Sequence, residues 1–137
     1  MFKKIMAPVD LAHQGHLERA LKCTSDLAKH YGAEVVFVGV TAATPSATAH
    51  NPAEYAVKLA EFAKAQAAEH GFTASAVPVV SHDPTTDVDD ALLKATKDTG
   101  ADLVVMASHL PGAAEHIFSS NAGYLASHVA ISVMIVR

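Results

Sequence analysis

The run Ala33-Glu34-Val35-Val36-Phe37-Val38-Gly39-Val40 (AEVVFVGV, residues 33–40) decides the architecture. A strand with one wet face alternates apolar and polar residues. This one is almost continuously apolar, so both of its faces must be covered, as in a parallel sheet between two layers of helix. Gly32 stands just before it, where a helix-ending glycine belongs, and the segment upstream repeats apolar residues at helical spacing: Leu17, Ala20, Leu21, Leu27, Ala28 and Tyr31. Ahead of that helix a short β-rich run, Phe2 to Val9, ends in Pro8-Val9-Asp10. Strand, helix and doubly covered strand make a βαβ unit.

The same rhythm continues toward the C-terminus. Thr41 to His50 reads as a loop, after which Asn51-Pro52 caps and opens a helix with Ala56, Leu59, Ala60, Ala63 and Ala67 on one face, closed by Gly71. Thr73 to Val80 is the third strand. Asp83-Pro84 starts the next helix, with an inward stripe of Val88, Ala91, Leu92 and Ala95 before Gly100. Asp102 to Met106 is a fourth strand, Ser119 or Ser120 caps a last helix, and Ile131 to Val136 is a fifth strand. Strict alternation predicts an α/β fold: a three-layer, doubly wound, largely parallel five-stranded sheet with right-handed crossovers. Such sheets hold ligands outside the carboxyl ends of their strands, where the winding reverses, which points to the loops after Val9 and Met106.

Composition narrows the classes of function. A chain of 137 residues suits one domain, residues 1–137, and 10 Lys and Arg against 14 Asp and Glu give a formal charge of −4 that argues against a general nucleic-acid surface. No apolar run approaches the ~20 residues of a membrane span, and the start, MFKKIMAPVD, turns polar too soon for a signal peptide. Cys23 is the single cysteine, so neither an intrachain disulfide nor a thiolate zinc site is available. The expectation is a cytoplasmic protein whose partners are small ligands or other proteins.

Three features in this order resemble the universal stress protein family of the UspA type over the whole chain. They are the first strand ending in Pro8-Val9-Asp10, the run Ala101-Asp102-Leu103-Val104-Val105-Met106 before a Ser-His loop, and the terminal Ser132-Val133-Met134-Ile135-Val136-Arg137. The resemblance implies a Rossmann-like sheet, similar to the adenine-nucleotide α-hydrolase fold, with strand order 3-2-1-4-5. It also implies a homodimer joined through Ser132 to Val136, and a crevice for ATP or another adenine nucleotide, with Mg2+ accompanying the phosphates. In that crevice Asp10 would accept from the ribose, Pro8, Val9 and Val40 would shape the adenine pocket, and Met106 would close its floor. The phosphates would meet Ala107-Ser108-His109-Leu110 and Ser119-Ser120-Asn121.

That phosphate loop departs from the family pattern. Nucleotide-binding members carry Gly-x-x-Gly and, further on, Gly-Ser or Gly-Thr. Here Ala107 and Ser119 stand at glycine positions and Leu110 at the second glycine of the fuller motif. Small residues tolerate a close approach by phosphate better than they tolerate a positive φ; Leu110 narrows the approach, and Pro111 offers no N–H. Ser119-Ser120-Asn121, at a helix start, keeps hydroxyls, backbone donors and the positive end of the helix dipole.

Other polar groups have plainer readings. His13 and His16 have a spacing suggestive of a metal pair, but no third ligand follows from the sequence and no metal site is assigned. His82-Asp83 is accounted for by a helix start, Cys23 by packing, and Asp87, Asp89 and Asp90 by a helix N-terminus. No general base with a committed geometry is visible. The reading is therefore a dimeric stress-response or signalling module that binds an adenine nucleotide without efficient chemistry. The rival is a dimeric interaction module with the same fold and no nucleotide.

Overall fold

The computed structural model describes residues 1–83, 87–108 and 121–137. Five strands, β1 (Lys4–Pro8), β2 (Glu34–Ala42), β3 (Ala74–Ser81), β4 (Leu103–Ala107) and β5 (Ser132–Val136), form one parallel sheet in the order β3-β2-β1-β4-β5. Among the described residues, four helices alternate with them: α1 (Glu18–Tyr31), α2 (Pro52–His70), α3 (Val88–Thr99) and α4 (Asn121–His128). The expected architecture and strand order are both present. No helix among the described residues is long and apolar enough to cross a membrane.

The uninterrupted apolar run of β2 has a direct structural cause. Val35 and Phe37 point into the core beneath α1 and α2 with Ile5, Leu59 and Val105, while Val36 and Val38 point into the core beneath α3 and α4 with Met6, Leu92, Val104 and Leu125. Phe37 meets Phe62 of α2 edge to face, ring centroids 5.3 Å apart, and is wholly buried. The outer strands differ from one another. β3 carries Pro78, tolerated because an outer strand needs fewer ladder donors. β5 leaves Met134 and Ile135 partly exposed.

Helix ends follow the expected chemistry. Asn51 accepts the Glu54 N–H at 2.8 Å as the N-cap of α2, and Gly32, Gly71 and Gly100 end α1, α2 and α3 with φ of 64°, 74° and 68°. Boundaries shift by a residue or two, as hydrogen-bonded ends do. Two differences are larger. Residues 11–16, which carry no helical periodicity, form a 3-10 helix (Leu11–His16). The helix expected from Asp83-Pro84 begins instead at Val88, with Asp89 and Asp90 in its first turn, where the dipole favours negative charge; residues 84–86 lie outside the described residues.

Asp102 fixes the start of β4 against the start of β1. Its two carboxylate oxygens accept the Lys3 and Lys4 N–H groups at 2.9 and 3.1 Å, and its own N–H donates to the Lys4 carbonyl at 3.0 Å. β1 is thereby held between β2 and β4, and its C-terminal end opens at the point where the winding of the sheet reverses.

Candidate functional site

β1 delivers Asp10 to that point. The Val9 N–H bonds the Val38 carbonyl at 2.9 Å, the last link to β2, and at Asp10 the chain, still extended (φ −107°, ψ 102°), turns into the 3-10 helix. Asp10 caps that helix: Oδ1 accepts the Ala12 N–H at 3.0 Å. Oδ2 lies 2.8 Å from Nδ1 of His13, and the Asp10 carbonyl accepts the His13 N–H at 3.1 Å. The Asp10 side chain is only 10% exposed and that of His13 is 41% exposed. The carboxylate is thus nearly buried, held at both oxygens, and keeps about two of its roughly four acceptor positions unshared.

One neighbour of this carboxylate went unread in the sequence. Tyr55 of α2 is buried, and its ring lies on Gly39 of β2 so closely that a Cβ at Gly39 would stand 2.1 Å from the phenol oxygen. Burial, followed by the negative charge of Asp10, pushes the Tyr55 phenol well above its ordinary pKa, so it stays a neutral hydroxyl next to the strand ends. A glycine inside an apolar strand was the available signal, because it marks close approach of another group.

The remaining expected residues divide by position. Pro8, Val9 and Met106 are buried, Val9 in the α1–α2 core and Met106 in the α3–α4 core. Val40 and Ala107 are half-buried at the ends of β2 and β4. The Ser108 N–H donates to the Val136 carbonyl at 2.7 Å and so extends the β4–β5 ladder. Asn121, the first residue of α4, is buried. His109, Leu110, Ser119 and Ser120 lie outside the described residues.

Of the residues given plainer readings, His13 joins this cluster through Asp10. His82 is exposed, and the Cys23 thiol, 3.3 Å from the Met134 sulfur, is pushed to higher pKa by burial and then by Asp26. The His13 and His16 rings are 6.2 Å apart, and no group of three or more His, Cys, Asp or Glu side chains suited to a metal forms among the described residues. Two open clefts, about 650 and 550 Å³, lie on the outer α1–α2 surface and share Gln14, Phe62 and Gln66. Their walls carry solvated charges of both signs, including Lys58 with Glu61 and Lys22 with Asp26, and Asp10 is in neither wall.

Known proteins give this geometry a context. Universal stress protein G of Shigella flexneri is 26% identical over 143 residues, covering all of both chains. A universal stress protein solved in complex with cAMP superposes with a TM-score of 0.70 at 18% identity, over 99% of this chain and 97% of that one. The Archaeoglobus fulgidus universal stress protein in complex with dAMP gives 0.69 at 16% identity over 98% of each. Residues 1–137 match the Universal stress protein family from end to end. With the sheet order, the switch-point aspartate and this full-length match in agreement, the chain belongs to the universal stress protein family.

Proposed function

We propose that this protein binds an adenine nucleotide (ATP, ADP or AMP) at the C-terminal ends of β1, β2 and β4, and serves as a dimeric stress-response or signalling module. The observation that carries the reading is Asp10. A nearly buried carboxylate, held at the reversal point of a doubly wound sheet with unshared acceptor positions, suits the hydroxyls of a ribose. Solved relatives bound to cAMP and dAMP support the ligand class. The adenine would lie against Val40, backed by Pro8, Val9 and Met106, and the phosphates would run toward Ala107, Ser108, His109, Leu110, Ser119, Ser120 and Asn121. Mg2+ would be held chiefly by the phosphates.

The chain's own residues offer binding rather than turnover. Asp10 would orient the sugar, and the module's output would be its occupancy, read by a partner in the cytoplasm. Assembly would use β5, an outer strand with partly exposed Met134 and Ile135, paired with the same strand of a second copy. Titration calorimetry of nucleotide-free protein with ATP, ADP and AMP, with and without Mg2+, tests the ligand. Saturable binding is expected, and no heat up to millimolar nucleotide overturns the reading. That outcome would favour the interaction module without nucleotide, for which Ala107 at a family glycine position already speaks.

A further inference from the structure

We infer that His13 is a positioning residue that makes the Asp10 carboxylate selective for a ribose, so that this chain takes ribonucleotides in preference to 2′-deoxyribonucleotides. The inference rests on the nucleotide reading above and adds a residue to it.

A carboxylate turns easily about its last side-chain bond, since that torsion is broad and roughly two-fold. The Ala12 N–H on Oδ1 alone would leave the plane of Asp10 free to tilt about one contact. The Nδ1–H of His13, donated to Oδ2 at 2.8 Å, supplies the second point and fixes the plane. The backbone is shaped to make this contact. His13 leaves helical geometry inside the 3-10 segment (φ −132°, ψ 49°), and its N–H closes onto the Asp10 carbonyl at 3.1 Å, so main chain and imidazole both return to the same residue.

One unshared acceptor position then remains on each oxygen, a match for the two adjacent hydroxyls of a ribose. A 2′-deoxyribose fills only one, and leaves an acceptor of a nearly buried carboxylate unsatisfied. A histidine serving only as surface decoration would not affect which sugar binds.

Calorimetry of the full-length protein with AMP and with 2′-deoxy-AMP tests this. The wild type should prefer AMP by about tenfold or more, the scale of one hydrogen bond to a charged group. His13→Ala should weaken AMP binding by a similar factor and leave 2′-deoxy-AMP nearly unchanged, so that the preference collapses. His13→Asn, which places an amide N–H close to the position of Nδ1, should restore it. An unchanged AMP preference in His13→Ala overturns the inference and leaves the nucleotide reading standing. A wild type that binds neither nucleotide removes both. Nitrogen-15 NMR of the imidazole, well above the ordinary histidine pKa of ~6.5, examines the pairing without ligand: the Nδ1–H tautomer is expected, and the Nε2–H tautomer overturns the inference.

Discussion

Gly39→Ala offers a sharp test of the packing behind the site. Gly39 does not have positive φ, so backbone strain does not oppose an alanine there, and inside a strand the change alone would favour stability by up to about 1 kcal/mol. The obstacle is Tyr55. The new Cβ would meet the phenol oxygen at 2.1 Å, with Cζ at 3.0 Å and Cε1 at 3.1 Å, and a rigid buried ring must retreat by more than an ångström at its tip. Overpacking of this kind costs about 1–3 kcal/mol, so a net loss near 2 kcal/mol is expected. Tyr55→Phe removes the atom at 2.1 Å and should itself change stability by no more than about 1 kcal/mol. In the double variant only contacts of 3.0 Å and beyond remain, which a shift of a few tenths of an ångström relieves. Most of the alanine loss should therefore vanish, giving a coupling of about 1–2 kcal/mol. Urea unfolding followed by circular dichroism, at one protein concentration and without nucleotide, reads each value from the midpoint at constant m. Gly39→Ala as stable as the wild type, or single losses that add within ~0.5 kcal/mol in the double variant, would refute the reasoning.

Asp10→Ala should weaken ATP binding at least about tenfold, and His82→Ala, at an exposed residue just past the end of β3, should leave it unchanged; calorimetry with a check on folding by circular dichroism separates a site effect from a lost cap. Asp102→Ala should cost about 1 kcal/mol, kept small by solvent, because Lys3 and Lys4 lose an acceptor. Burial alone would raise the Asp102 carboxyl, but the N–H groups of Lys3, Lys4 and Asp102 and the Lys3 charge outweigh it and hold the pKa below the usual value. Its stabilisation is therefore present above the unfolded pKa of ~3.9 and lost as pH falls through the lower folded value, so urea midpoints should fall less steeply below about pH 4 in the variant; an unchanged acid limb counts against the assignment. The double change Met134→Lys and Ile135→Lys should convert a micromolar dimer to monomer in sedimentation experiments, and a wild type already monomeric there would exclude pairing through β5.

The fold was legible because its determinants are local. Continuous apolar strands, helical stripes and Gly32, Gly71 and Gly100 at helix ends each act within a few residues, and alternation then leaves few topologies. The 3-10 helix at Leu11–His16 escaped because its stabilisation comes from the Asp10 cap and two turns of backbone bonding, without an apolar stripe. Asp10 was readable from its place at a strand end. Its pairing with His13 was not, since the same histidine also stood at metal-like spacing from His16, and only the kink at His13 decides which group it meets. The contact of Gly39 with Tyr55 joins two elements distant in sequence, and no local pattern announces it.

The two margins of the sheet have unequal prospects for growth. Pro78 takes a donor out of β3, while β5 keeps a full set of amides and offers Met134 and Ile135 to a neighbour. A molecule with sticky margins on both sides can add copies without end, into a filament. One whose association is confined to a single margin uses that margin up in the first encounter, and a symmetric encounter consumes it on both copies together. Under the proposed pairing through β5, the proline in β3 would stop assembly at two and keep an apolar parallel sheet from becoming a template for aggregation.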